Sequence, residues 1–139
     1  MALKKISKPL PEDGPRNNMI LADTSVWINH FHKNNPQLVD KLDIGAVVCH
    51  QFVIGELACG YIHNRKEVLT LFNALPSSPL ITEDEFHEFI ESRELVRKGL
   101  GFVDIHLLAS ALLGRVLLWT EDKALAKVAE ELGICYKPK

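Results

Sequence analysis

The run Met19-Ile20-Leu21-Ala22-Asp23-Thr24-Ser25-Val26-Trp27-Ile28 joins a short apolar strand to a helix and puts an acid at the joint. Its first four side chains are apolar without alternation, the pattern of a strand covered on both faces. Asp23-Thr24-Ser25 then offers three side chains able to cap a helix. The arrangement returns near the other end of the chain. Val116-Leu117-Leu118-Trp119-Thr120 is a second strand-like run, followed by Glu121-Asp122 and a helical pattern through Leu125, Val128, Ala129 and Leu132. Short apolar strands alternating with helices point to an α/β domain with a parallel sheet covered on both faces. In such sheets sites form beyond the carboxyl ends of the strands. Asp23 and Asp122 are therefore predicted to share one edge.

The intervening chain keeps the alternation. A helix is expected near 25 to 33, and Pro36 opens another through Leu38, Val39 and Leu42 to Gly45. Ala46 to Cys49 reads as a short buried strand. A helix carrying Glu56 follows, then one through Val68, Leu71, Phe72 and Leu75, halted before Pro76. Pro79-Leu80-Ile81-Thr82 is a further strand candidate. A long amphipathic helix is expected from about Glu83 to Lys98, broken by Gly99 and Gly101. The helix with Asp104 and a last short strand, Ile134-Cys135-Tyr136, complete the pattern. Residues 1–18 carry breakers and charge (Lys4, Lys5, Lys8, Pro9, Pro11, Pro15) and little periodic hydrophobicity. They read as an extension, either a disordered arm or a segment upstream of a start at Met19, with the folded domain at 19–139.

A length of 139 residues fits one domain, and 47% hydrophobic with 24% charged residues describes a globular chain with a real core. No apolar stretch is long enough to span a bilayer, and no secretory signal is visible. Cys49, Cys59 and Cys135 form neither a zinc spacing nor an even disulfide framework. Buried, reduced cysteines in a cytosolic protein are expected. A net charge of −2 argues against a stand-alone, non-specific nucleic-acid binder. It leaves room for a nuclease, because clustered carboxylates lower the net charge and a bound metal restores the local balance.

Four acids draw attention: Asp23, Glu56, Asp104 and Asp122. Each has an ordinary reading. Asp23 and Asp104 suit helix N-caps, and Asp122 suits the positive end of a helix dipole. Glu56 could sit at the boundary of a mostly buried helix. Its neighbours one turn away are Phe52, Val53, Cys59 and Gly60, none of which can pair with it. The glycines before Asp104 would allow backbone or ligand to come close. A carboxylate removed from water is costly unless paired or metal-bound. Four gathered together make an oxygen-ligand site for a hard divalent cation. Their recurrence at the junctions of one βα pattern fits a shared site better than four unrelated caps. Glu121 is an alternative ligand expected to face solvent. Thr24 and Ser25 could cap, ligate through water or orient Asp23.

Arg93, Arg97 and Lys98 form a basic helix end, and Arg115 and Lys123 flank the Asp122 junction. Cations suit a helix C-terminus and Glu94 can pair locally, which explains the first three; Arg115 and Lys123 are the alternatives for binding an anionic ligand. The six histidines lack a zinc spacing, and His106 reads as structural. Trp27, Phe31 and Tyr61 are either core or a surface for a partner. A phosphatase would want a second Asp two residues beyond Asp23, where Ser25 stands. A receiver would want an acid after Ala46–Cys49, where His50 stands. The glycine-rich loop of a dinucleotide fold and the nucleophile elbow of a serine hydrolase are both missing.

The ordered set of motifs resembles the PIN domain family, and closely the VapC toxins of VapBC toxin–antitoxin pairs. Met19 to Ile28 resembles the family's opening strand and first acid. Ile54-Gly55-Glu56-Leu57 resembles the second motif, Gly101-Phe102-Val103-Asp104-Ile105-His106-Leu107-Leu108-Ala109-Ser110-Ala111 the third, and Leu118-Trp119-Thr120-Glu121-Asp122-Lys123 the fourth. The resemblance covers everything after residue 18. It implies a three-layer α/β/α fold with a central, mainly parallel sheet of four to five short strands. It also implies a cytoplasmic endoribonuclease dependent on Mg²⁺ or Mn²⁺ that cleaves structured RNA, such as tRNA or rRNA, and so inhibits translation. Asp23 and Asp104 would ligate metal directly. Glu56 and Asp122 would ligate it through water or position the nucleophile, with Ser25 and Thr120 supporting the ligands. The partners implied are a VapB-type antitoxin, an RNA substrate and a second copy in a homodimer. Promoter DNA would be bound only through the antitoxin, and no membrane is involved. The alternative is a non-catalytic interaction module on the same fold, against which the intact acids count.

Overall fold

Ile20, Leu21 and Ala22 form β1 (Ile20–Ala22), and all three are fully buried, as their uninterrupted apolar pattern requires. The computed structural model describes residues 18–139, so the expected extension lies outside the described residues apart from Asn18. β1 is the middle strand. It pairs in parallel with β2 (Val47–Val48), Ile20 opposite Val47, and with β3 (Leu117–Trp119), Ala22 opposite Trp119. The order is β2-β1-β3. Two more segments extend this sheet by single parallel bridges, Ser77 on Cys49 and Cys135 on Leu118. The backbone hydrogen bonds there are regular: Cys49 donates to Pro76 at 2.8 Å, and Leu118 to Ile134 at 2.7 Å.

The strand expected at 79–82 does not form. The chain touches the sheet at Ser77 instead and leaves it at once. Pro79 has no N–H to offer a ladder. Thr82 is committed to the next helix as the N-cap of a capping box with Glu85. Ile134–Tyr136 joins the sheet as expected, but only as a bridge.

Seven helices among the described residues flank the sheet in a three-layer α/β/α arrangement. They are α1 (Thr24–His32), α2 (Pro36–Asp43), α3 (Gln51–Ala58), α4 (Arg65–Ala74), α5 (Glu83–Ser92), α6 (Phe102–Gly114) and α7 (Lys123–Glu131). Local chemistry explains their starts. Asn35 caps α2 ahead of Pro36, and the His50 ring caps α3 by accepting from the Phe52 N–H at 2.9 Å. α5 stops at Ser92, not at Lys98. Glu94 and Arg97 take left-handed backbone at φ 53 and 65. This turn drops Leu95 into the core, where it is 4% exposed. Burial of that side chain outweighs the helical propensity of the charged segment. α6 is buried from Ile105 to Leu112 and acts as the central helix of the domain.

Cys49 is buried as expected, and burial pushes its thiol up to about 12. Cys59 is exposed, against expectation, because its place at the end of α3 turns it outward. No described helix is long and apolar enough to cross a membrane.

The aromatic centre of one layer is Trp27 against Phe72, edge to face with ring centroids 4.8 Å apart and both rings about 1% exposed. Phe72→Ala should lower stability by about 3–5 kcal/mol. Urea unfolding reads this as a lower midpoint at unchanged slope. A loss below about 1 kcal/mol would contradict the packing described.

Candidate active site

Asp23 ends β1 and is the N-cap of α1, so its ordinary role is real. Its Oδ1 accepts from the Val26 N–H at 3.2 Å and from the Ser25 hydroxyl at 2.5 Å. Its Oδ2 accepts from the Thr120 hydroxyl. Only 6% of the residue is exposed. Burial raises its carboxyl above the usual range, and these hydrogen bonds oppose the rise without cancelling it.

The two hydroxyls each have a second task. Ser25 Oγ accepts the Glu121 N–H at 2.9 Å, and Thr120 Oγ1 accepts the Asp122 N–H at 3.0 Å. Asp23 is thereby tied to the loop between β3 and α7. Asp122, exposed at the start of α7, accepts the Leu125 N–H at 3.0 Å and caps that helix. Glu56 is exposed in the last turns of α3 and is held by the Thr24 hydroxyl at 2.6 Å. Asp104 sits one turn inside α6 rather than at its N-cap, which is Gly101. It reaches back to accept the Gly101 N–H at 2.9 Å. Just before it, Gly99 lies at φ 77, and a Cβ there would sit 3.4 Å from Ala124 Cβ. That close approach sets the lead-in to α6 beside the start of α7.

Asp104 is half-buried, and its carboxyl is raised first by burial and then by the negative charges of Asp122 and Glu56. Glu56 from α3 and Asp122 from the N-cap of α7 both bear on Asp104 in α6. Hydrogen bonds through Thr120 and Thr24 connect this group to the β1–α1 junction at Asp23. The structure brings all four sequence-identified acids to one edge. It corrects one expectation: Glu56 and Asp122 are not withdrawn from water. Among the described residues no three His, Cys, Asp or Glu side chains form a ready-made metal cage. Glu56, Asp104 and Asp122 each commit one oxygen to a hydrogen bond, and no described hydrogen bond takes the other. An open, all-oxygen set of this kind suits a hard cation that keeps some of its waters.

Thr24 is the residue whose role the sequence did not reveal. Asp23 alone caps α1, so the Thr24 hydroxyl is released for a contact 32 positions away. The available signal was two capping residues where one suffices. The Ser25 and Thr120 hydroxyls both donate to Asp23, and Glu121 faces solvent while lending only its backbone N–H. His106 is packed face to face on Phe86 at 4.6 Å, a structural role as expected. Trp27 is core, whereas Phe31 and Tyr61 are exposed and line a cleft of about 340 Å³ with Ile28, Ile62 and Glu56.

The profile of the PIN domain family matches residues 20–131. The chain belongs to that family. This PIN domain is 44% identical over 117 residues to Ribonuclease VapC32 of Mycobacterium tuberculosis, covering 84% of the chain and 94% of the relative. It is also 27% identical over 135 residues to Ribonuclease VapC1 of Methanocaldococcus jannaschii, covering 95% and 94%. These matches make it a PIN protein of the VapC type. The crystal structure of PAE2754 from Pyrobaculum aerophilum superposes with a TM-score of 0.55 at 15% identity, over 91% of this chain and 97% of that one. That likeness concerns the fold alone.

The raised carboxyls make a signed statement about stability. An acid whose folded pKa lies above its unfolded value of 3.8 holds its proton longer in the folded state, so stability falls as pH rises from 3.8 through the raised value. In metal-free buffer Asp104→Asn should therefore be more stable than the parent at pH 7, by up to about 1 kcal/mol at a half-open site. The gap should close towards pH 4. Urea unfolding at the two pH values measures this, and a gap that widened in acid would refute the sign.

Proposed function

We propose that this chain is a metal-dependent endoribonuclease toxin that cleaves structured RNA, tRNA or rRNA, and stops translation until a cognate VapB-type antitoxin neutralises it. The observation that carries the reading is the hydrogen-bonded arrangement that sets Glu56 and Asp122 beside the locked carboxylate of Asp23, with Asp104 close enough to feel both their charges. It occurs in a chain 44% identical to a protein named as a ribonuclease.

In this reading Asp23 and Asp104 would hold Mg²⁺ or Mn²⁺ directly, and Glu56 and Asp122 would hold it through water or position the nucleophile. Such a cation, when bound, lowers the pKa of a coordinated water, aligns the scissile phosphate and stabilises the leaving oxygen. The chain's own residues supply position. Asp23 is fixed by two hydroxyls and a backbone N–H, so its orientation is set before any ligand arrives. Glu56 differs from the other three acids in having no helix-end duty. Held by Thr24 and open to solvent, it is placed to orient an attacking water and take its proton. The cleft lined by Phe31 and Tyr61 shares Glu56 with the acid cluster. An antitoxin segment seated there would reach the acids along a continuous surface. The reading includes a homodimer, promoter binding only through the antitoxin, and a cytoplasmic site of action.

Antitoxin-free protein incubated with total tRNA and rRNA should give discrete fragments in Mg²⁺ or Mn²⁺ and none in EDTA. Asp104→Asn should lower the rate at least about 100-fold while remaining folded. Fragments that persist in EDTA or with Asp104→Asn would overturn the assignment. Metal binding without cleavage would favour the interaction-module reading. A companion variant, Thr24→Val, should reduce kcat about tenfold by freeing Glu56, and Thr24→Ser should restore most of it.

A further inference from the structure

Phe102 opens α6 two positions ahead of Asp104, and 60% of it is exposed. Phe52 lies in the first turn of α3, one turn before Glu56 and therefore on the same helix face. Their rings run nearly parallel, at 21°, with centroids 5.9 Å apart. Both are supported from beneath. His106 meets Phe52 at 4.7 Å and Phe102 at 4.6 Å, and Phe86 meets Phe102 at 5.0 Å. An exposed aromatic held this way loses little freedom when something lands on it. In front of the pair lies a shallow, mostly apolar hollow of about 390 Å³ that includes Gly55, Glu56 and Val103. The hollow thus borders the acid cluster at Glu56.

We propose that Phe102 and Phe52 form a stacking platform for one unpaired nucleobase of the RNA next to the scissile phosphate. The choice of RNA as occupant rests on the function proposed above, and charge supports it. A chain of net charge −2 with four acids at its site offers a polyanion little net attraction, which gives weight to contacts that do not depend on charge. Stacking of a base on an aromatic ring is such a contact. A paired base has both faces covered by its neighbours, whereas a loop or bulge base offers a free face. The platform therefore selects single-stranded positions in structured RNA.

The test uses hairpin RNAs carrying 2-aminopurine in the loop, with a duplex RNA of the same length as comparison. Binding is followed by fluorescence in Ca²⁺, and cleavage separately in Mg²⁺. The loop probe should be quenched on binding, and duplex should bind more weakly. Phe102→Ala should weaken loop binding about 5- to 100-fold with no loss of folded structure, since the ring is exposed. Phe102→Trp should keep the affinity. Phe102→Leu, apolar but without a π face, should behave like Phe102→Ala. Gly55→Leu offers a second route, since a Cβ at Gly55 meets nothing within 4 Å and the added side chain would fill the hollow.

Unquenched loop probe, equal binding of duplex, or wild-type affinity in Phe102→Ala or Phe102→Leu would overturn the platform. So would a variant that keeps its RNA affinity but loses self-association in sedimentation, which would make this face a contact between copies. The two readings fail separately. Metal-dependent cleavage without Phe102-dependent quenching leaves the nuclease and removes the platform. Phe102-dependent quenching without cleavage does the reverse.

Discussion

A carboxylate buried at the end of the central strand is the constraint around which this domain is organised. Asp23 is removed from water where two layers meet, and such a charge is tolerable only with strong donors on it. The donors are the Ser25 hydroxyl, the Thr120 hydroxyl and the Val26 N–H. Because each hydroxyl also receives a backbone N–H from the β3–α7 loop, satisfying Asp23 sets that loop and fixes where Asp122 begins its helix. The stability of the sheet edge and the geometry of the acid cluster are one problem with one solution.

The cluster is arranged on a gradient of exposure. Asp23 is buried, Asp104 half-buried, Glu56 and Asp122 open. Four fully buried carboxylates would repel one another at a cost that no small domain could absorb. Leaving two in water keeps the repulsion screened, so the Asp104 carboxyl is raised first by burial and only then by their charges. Single hydrogen bonds hold one oxygen each of Glu56, Asp104 and Asp122 and leave the other oxygen available. Two apolar features, the Phe31–Tyr61 cleft and the Phe52–Phe102 pair, flank this edge and both border Glu56. Their nearness follows from the position of α3, whose one exposed acid faces both.

Much of the fold was legible because its signals are local. Apolar runs without alternation mark strands buried on both faces, and β1, β2 and β3 lie where those runs lie. Pro36 marks the start of α2 for an equally local reason. One miss came from competing local chemistry and the other from core packing that overrode the local pattern. The segment 79–82 has strand-like composition, but Pro79 cannot donate and Thr82 belongs to α5. The α5 pattern continues past Ser92, yet burial of Leu95 turns the chain back.

The sequence by itself determined the class of fold, the four acids and their order along the chain, because strand hydrophobicity and helix caps are written within a few residues of where they act. The PIN family and the VapC type were equally readable, since the ordered motifs span nearly the whole domain. Only the tertiary structure decided which acid is buried, that Thr24 holds Glu56 rather than Asp23, and that Phe102 stands exposed beside Asp104. Those outcomes depend on how α1, α3, α6 and the β3–α7 loop meet at one edge. Side chains as many as 97 positions apart become partners there, and no local pattern encodes such a meeting.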